Sequence, residues 1–532
     1  MDPSSTQSSR VVVREADRRE LIRGLVSKAV RVIVAPQIVA LADQGLVSAA
    51  SFLTTVLIGR YTFPSQLGIY ALAGAVLVWL TNAQESLVSL PYTIHRNRAE
   101  EIAAKQGGQA LMLTGLLSAL VVFAICIGVG AVILSGKHHE AVIPILVVLA
   151  AAAPFVIHRD FARRYAFANI SNFEALAFDF GVVCFQLGAL CWLAWTGRLS
   201  SVTALAALGT ACAVSVLVWL GLVHNRFQFA RDGLLETLRD SWRLGKWLFA
   251  NQVLGAVQSQ MTLWLVALAV SAAATGIYTA CLSIALFANP LILGLSNMLW
   301  AKSARAFQEG SGSRLLRESI VDATQLGAIV GVFCLAILVW GDDILRILYP
   351  RNDYAGYADV VTLLAFGQLV YGVGMPAATA LASTGHFRSN FFIAAAETVL
   401  LGLLVSPLVF QWGILGAAYG VLIGCVLRFF IRWTALIVVL RRMHWTKIDD
   451  TGMDPVALLE RRVSPEAVPL KSEQPNHLDA SQGQVFVTGR ESSSDVTDAA
   501  RCRLADENES GLPHSNTAKP VVVEFAHRRG TA

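Results

Sequence analysis

LADQGLVSAASFLTTVLIGRYTFPSQLGIYALA runs from Leu41 to Ala73, and FANQVLGAVQSQMTLWLVALAVSAAATGIYTAC runs from Phe249 to Cys281. Laid side by side without a gap, the stretches place Asp43 on Asn251, Gln44 on Gln252, Ser51 on Ser259 and Thr54 on Thr262. Further along, Leu57 falls on Leu265 and Gly68-Ile69-Tyr70 on Gly276-Ile277-Tyr278, all at one offset of 208 residues. Chance similarity between apolar helices does not hold an Asx-Gln pair, a serine and a Gly-Ile-Tyr triplet in one register. The chain therefore reads as an internal duplication. A weaker echo sets Asn172-Phe173 and Asp179 against Asn390-Phe391 and Glu397, at an offset of 218.

Both copies lie in apolar sequence. Of 532 residues, 55% are hydrophobic and only 15% charged, and mean hydropathy is +0.57, which calls for lipid as solvent. A membrane span needs about 20 apolar residues. Windows of that kind fall at 36–58, 66–90, 110–135, 142–158, 173–196 and 202–223, then at 246–270, 276–300, 318–341, 359–382, 390–410 and 412–440. The expected fold is an all-α polytopic membrane protein of about 12 transmembrane helices in two pseudo-symmetric six-helix lobes. Its parts are an N-terminal segment (1–35), an N-lobe (36–223), a linker (224–245), a C-lobe (246–440) and a polar tail (441–532).

Orientation follows from where Lys and Arg collect. Alternate loops starting from the N-terminal side carry Arg96, Arg98 and Lys105, then Arg159, Arg163 and Arg164, then Arg226 to Lys246, then Lys302 to Arg317, then Arg388. The other loops carry only Arg60, Lys137, Arg198, Arg346 and Arg351. Both termini are expected in the cytoplasm. Residues 18–34 read either as an interfacial helix on anionic membrane lipids or as a plain basic topology signal. No removable signal sequence is expected in the first thirty residues. Beyond about residue 448, Ser, Asp, Glu, Asn and Pro dominate and disorder is expected; VVVEF (521–525) reads as an inert patch or a docking peptide. The eight cysteines show no metal-type spacing and are expected to be free.

Several motifs carry a family resemblance. The Gly-Ile-Tyr opening spans two and eight, RDFARRYAFAN (159–169), NPLILGLSNMLWAKSARAFQEG (289–310), STGHFRSN (383–390) and WGILGAAYGVLIGCVLRFFIRW (412–433) resemble the polysaccharide-transporter branch of the multidrug, oligosaccharidyl-lipid and polysaccharide exporter superfamily. The resemblance covers roughly residues 30 to 445. It implies two lobes around a central cavity, a bacterial inner-membrane location, and flipping of a lipid-linked oligosaccharide from inner to outer leaflet. It also implies an acidic residue facing the cavity in the first helix, which Asp43 matches.

An ionised side chain at mid-bilayer costs about 2.5 to 3.5 kcal/mol on insertion scales and demands an explanation. Four carboxylates qualify: Asp43, Glu85, Asp179 and Glu397. Asp43 beside Gln44, with the neutral pair Asn251 and Gln252 in the second copy, makes an ion-coupling candidate; a structural acid bonded to neighbouring helices is the alternative. Glu85 is expected near the inner end of its span, within reach of the interface. Asp179 and Glu397 occupy equivalent places, for substrate contact or interhelical bonding. The first six spans show no embedded cation. Arg428 and Arg432, one turn apart in span twelve, are embedded if that span reaches Leu440 and interfacial anchors if it stops near Trp433, the anchor reading being preferred.

An enzyme is not expected. The longest outer loop, about 341–359, has no room for a domain, and His138 and His139 lack a third ligand nearby. No nucleotide-binding or nucleophile motif occurs, no cofactor is implied, and nothing points to nucleic acid. Three functions remain: a lipid-linked oligosaccharide flippase, a proton- or Na⁺-coupled exporter of drugs or metabolites, and a non-transporting scaffold for a polysaccharide polymerase or glycosyltransferases.

Overall fold

Pro64 and Ser271 open equivalent helices, and the chain between them is a succession of membrane-length helices. The computed structural model describes residues 36–95, 99–134, 142–230, 232–308, 312–383 and 387–449. The basic segment 18–34, His138, His139, Cys502 and the tail from residue 450 lie outside the described residues. The first lobe comprises α1 (Pro36–Tyr61), α2 (Pro64–Gln84), α3 (Glu100–Leu134), α4 (Val142–Ala168), α5 (Asn172–Trp195) and α6 (Ser201–Val223). The second begins with α7 (Leu234–Ala269), α8 (Ala272–Ala285), α9 (Gly312–Leu348) and α10 (Ala358–Ser383). A π-helical turn, Glu85–Ser89, carries α2 on to Leu90–His95, and a 3₁₀ turn, Leu286–Ala288, carries α8 on to Asn289–Gln308.

Among the described residues eleven helices are long and apolar enough to cross a membrane. The last, Phe387–Asp449, makes two of the crossings. Gly413 breaks it at φ 58° and ψ −129°, a left-handed conformation that glycine adopts without a Cβ clash. Gly416 then faces Leu408, Gly420 faces Val405 and Gly424 faces Leu401, the register of an antiparallel hairpin. Residues 387–412 are α11 and 414–449 are α12. The described residues thus make twelve crossings, as expected, in an all-helical, multi-pass membrane fold.

Helix boundaries follow local signals. Pro64 sits in the first turn of α2, where its missing N–H costs no hydrogen bond. Ser271 caps α8 by accepting from the Ala274 N–H at 3.1 Å. Ser200 and Thr203 form a reciprocal capping box on α6. Two boundaries differ from expectation. The linker 224–245 is partly helical, because α7 starts at Leu234. The outer loop expected at 341–359 shrinks, because α9 continues to Leu348 and Tyr349 and Tyr354 bury their rings against each other at 4.9 Å.

The packing repeats with the sequence. Helix α1 packs on α5 and α7 on α11; α3 packs on α4 and α9 on α10. The lobes meet where α2 crosses α8. A Cβ on Gly68 would overlap the carbonyl oxygen of Ala272, and one on Gly276 would overlap that of Pro64. Pro64 and Ala272 are themselves 208 residues apart, so the contact is reciprocal: each copy of the repeat touches the other with its own equivalent residues. Such reciprocity places the pseudo-twofold axis between the two glycines.

Gly68→Ala or Gly276→Ala should therefore destabilise the protein by about 1–3 kcal/mol through overpacking against backbone. Gly74 in the same helix has open space around its Cβ position. Gly74→Ala should be neutral or mildly stabilising, by up to about 1 kcal/mol from helix propensity. Thermal unfolding of the purified variants in detergent checks the contrast, and equal melting of all three would refute the close crossing.

Candidate functional site

The apolar periodicity of α4 does not stop where its charges begin. Phe161, Ala162, Tyr165 and Ala166 are buried, so the helix runs through HRDFARRYAFA to Ala168 and draws Arg159, Arg163 and Arg164 into the bundle. These arginines are not in a loop between spans, and the first lobe does hold embedded cations. Both readings are corrected here. Counting charges per loop records where cations are plentiful, not whether each is solvated; the buried residues between them were the available signal.

Asp43 on α1 and Asp179 on α5 are fully buried. Arg159 donates from Nε to Asp179 Oδ1 at 3.0 Å. Arg163 donates from Nε to Asp43 Oδ2 at 3.1 Å and from Nη2 to Gln44 Oε1 at 3.4 Å. The same Nε lies 2.8 Å from Asp179 Oδ2, a charge contact without hydrogen-bond alignment. Its guanidinium also stacks over the Phe167 ring, 5.4 Å from the centroid. Two carboxylates from α1 and α5 thus share two arginines from α4. Asp43 Oδ1 and Asp179 Oδ2 remain buried without a hydrogen-bond donor, so the cluster has acceptor capacity left for a proton or a cation.

Glu85 occupies the first position of the π-helical turn, where Arg164 Nη2 meets its Oε1 at 2.7 Å. Glu85 is 20% exposed and Arg164 39%. The turn is held from the other lobe, since Gly245 of α7 leaves its Cβ position against the Ser86 carbonyl. Single π turns inside α-helices recur at functional sites.

In the C-lobe, Glu397 on α11 is met by two arginines of α12. Arg428 Nε lies 3.3 Å from Oε2 and Arg432 Nε 3.4 Å from Oε1. Helix α12 continues past Trp433, with Leu436 and Leu440 buried. Arg428 and Arg432 are therefore embedded in the span, and the anchor reading is corrected. Asn251 is exposed and Gln252 half-buried; neither makes a hydrogen bond or ion pair with a described residue. The second copy of the Asp-Gln pair thus stands outside both charged clusters. Among the described residues no group of His, Cys, Asp and Glu could hold a metal ion, and seven cysteines are free.

No family model matches this sequence, and no curated protein matches it. Solved structures do match in fold. An inward-facing multidrug resistance MATE family transporter of the MOP superfamily aligns with a TM-score of 0.59 at 16% identity, over 79% of this chain and 99% of that one. An outward-facing MATE family transporter of the same superfamily aligns at 0.56 and 13% identity, over 77% and 97%. A mutant of a Vibrio cholerae MATE transporter aligns at 0.51 and 16% identity, over 76% and 96%. The chain thus shares the fold of these transporters.

Removing Arg163 would leave two buried carboxylates sharing one arginine. Arg163→Gln should cost about 3–5 kcal/mol, and Asp43→Asn in the same chain should restore part of it. Arg314→Gln, which breaks an exposed pair with Glu318, should cost about 0–1 kcal/mol. A double-mutant cycle on thermal stability reads the coupling, and additive losses at Asp43 and Arg163 would refute the shared cluster.

Proposed function

We propose that this protein is a transporter that works by alternating access and couples export to a cation gradient at the Asp43–Arg163–Asp179 cluster. One observation carries the reading: a fully buried carboxylate pair spans α1, α4 and α5, with one guanidinium between the acids and an undonated oxygen on each. Protonating one acid, or placing Na⁺ beside it, weakens its hold on Arg163 and frees α1 from α4. The energetic difference between loaded and empty clusters is what a ligand needs to shift a two-state equilibrium. The fold supports the same reading, since it matches structures described as inward-facing and outward-facing. Equivalent lobes related by a pseudo-twofold axis are suited to rocking as bodies.

For cargo, the reading that fits the matched structures is an amphiphilic drug or metabolite. A second is favoured by a specific observation: embedded arginines are present in both lobes. Such cations suit a lipid diphosphate. A lipid-linked oligosaccharide in bacterial polysaccharide synthesis, moved from inner to outer leaflet, is that second cargo.

Proteoliposomes separate the proposals. Asp43→Asn should remain folded but lose gradient-driven export of a fluorescent amphiphile, while substrate binding persists. Full gradient-driven export by Asp43→Asn would overturn the coupling role. Deletion of the gene, with accumulation of lipid-linked repeat units on the inner leaflet, would select the oligosaccharide; unchanged outer-leaflet delivery would reject it.

A further inference from the structure

Thr237, Ser241 and Gly245 stand four residues apart and so share one stripe of α7. The stripe is pinned at both ends. At Gly245 the backbone of α7 closes on the π turn, where a Cβ would stand 2.7 Å from the Ser86 carbonyl oxygen. At Thr237 the hydroxyl donates to Gln109 Oε1 of α3 at 2.9 Å, and Gln109 Nε2 donates to the Asp232 carbonyl at 3.1 Å. Ser241 falls between these contacts, beside a cavity of about 230 Å³ enclosed by α7, α3, the π turn and the helix Leu90–His95 that continues it.

The two sides of the cavity differ in chemistry. Val88, Pro91, Tyr92 and Leu113 give the N-lobe side an apolar wall. The Tyr92 ring is fixed there by stacking on Tyr165 of α4, with centroids 5.9 Å apart and planes 15° from parallel. The residues that α7 contributes are all polar: Thr237, Asp240 and Ser241. Thr237 is engaged by Gln109. Ser241 is 8% exposed, and its hydroxyl makes no hydrogen bond with a described residue. Asp240 is exposed at the mouth and makes no ion pair with a described residue. Buried polar groups are as a rule hydrogen-bonded, so the Ser241 hydroxyl points to an occupant. An apolar cavity of about 150 Å³ takes up benzene, and this one has room for a ring with a short chain. Ser241 precedes the apolar run of α7, which begins at Phe249, by eight residues, about 12 Å of helix. The cavity therefore lies at headgroup depth, within reach of lipid heads and of solutes. Asp240 repels an anion, whereas a primary ammonium has three N–H donors for the carboxylate and the hydroxyl to accept.

We propose that this cavity binds a primary ammonium group, which donates to the Asp240 carboxylate and the Ser241 hydroxyl while the apolar body attached to it lies on Val88, Tyr92 and Leu113. The site shares no residue with the Asp43–Arg163–Asp179 cluster, and it selects for N–H donors, not for positive charge in general. A free amine and the ethanolamine head of a phospholipid both carry the group. Because one wall belongs to the N-lobe and the other to α7, an occupant ties the first turns of α7 to that lobe. Binding is read directly, so the proposal stands or falls independently of transport.

The full chain in phosphatidylcholine nanodiscs is titrated calorimetrically with phenethylamine, with its N,N,N-trimethyl analogue and with phenethyl alcohol. Phenethylamine is expected to bind saturably. The trimethyl analogue, which keeps the charge and loses every N–H, and the alcohol, which keeps the shape and loses the charge, should each bind about tenfold or more weakly. Asp240→Asn should weaken phenethylamine by about tenfold and Ser241→Ala several-fold. Asp240 is on the surface, so its variant keeps the melting temperature and decides alone if Ser241→Ala fails to fold. Replacing half of the phosphatidylcholine by phosphatidylethanolamine should lower the apparent affinity for phenethylamine if lipid heads occupy the site; an unchanged affinity assigns it to free amines. Absence of saturable binding, equal binding of the trimethyl analogue, or full affinity in Asp240→Asn would overturn the proposal.

Discussion

Gly68 and Gly276 meet backbone to backbone where α2 crosses α8, each lying against the residue that is the other's equivalent at the start of the helix. A side chain at either position would push the lobes apart, because the first atoms met are peptide groups that cannot rotate away. Around that contact the two halves repeat their packing, with α1 on α5 matched by α7 on α11. Gln186 donates to Thr54 at 3.0 Å in one lobe, and Gln258 donates to Thr398 at 2.8 Å in the other. In lipid, where apolar burial between helices brings no gain over the lipid itself, small residues and hydrogen bonds of this kind hold helices together.

Charge obeys a stricter rule in the same setting. A carboxylate or guanidinium within the apolar spans persists only when it is paired or serves a cavity. The N-lobe meets this condition by sharing: one arginine spans two acids from helices far apart in sequence, and α1 is tied to the lobe by charge. In the C-lobe the described buried ion pairs join helices adjacent in sequence, Glu397 to α12 and Asp322 of α9 to Lys302, and α7 is joined to α11 by neutral hydrogen bonds. Equivalent helices are therefore held by different forces, which makes the halves unequal partners in any rocking motion. A change of charge at Asp43 alters what holds α1, and the same change has no counterpart at Asn251.

Close approach and charge alternate along single helices. On α12, three glycines lie close against α11, and two arginines further along meet Glu397. On α2, the close crossing at Gly68 is followed by the π turn at Glu85, where one extra residue per turn re-aims the side chains and α7 presses on the Ser86 carbonyl through Gly245. Each helix thus has a part fixed by backbone contact and a part organised by ionic groups.

Twelve spans, their duplication and the embedded carboxylates Asp43, Asp179 and Glu397 were legible in the sequence, because each rests on local composition or on register along one chain. Buried Asp322 and half-buried Asp160, amid charged neighbours, were not. Hydropathy over about 20 residues reflects a solvent that every span shares, and the 208-residue repeat needs no knowledge of packing. Which cations meet those carboxylates was decided only by tertiary structure. Arg159 and Arg163 read as loop residues until α4 was seen to continue to Ala168, and Arg428 and Arg432 read as anchors until α12 was seen to bury Leu436 and Leu440. The physical reason is that a side chain's charge is local while its solvation is not. Whether an arginine faces lipid headgroups or a buried acid depends on the helix packed beside it, and Asp43 meets Arg163 across 120 residues of chain.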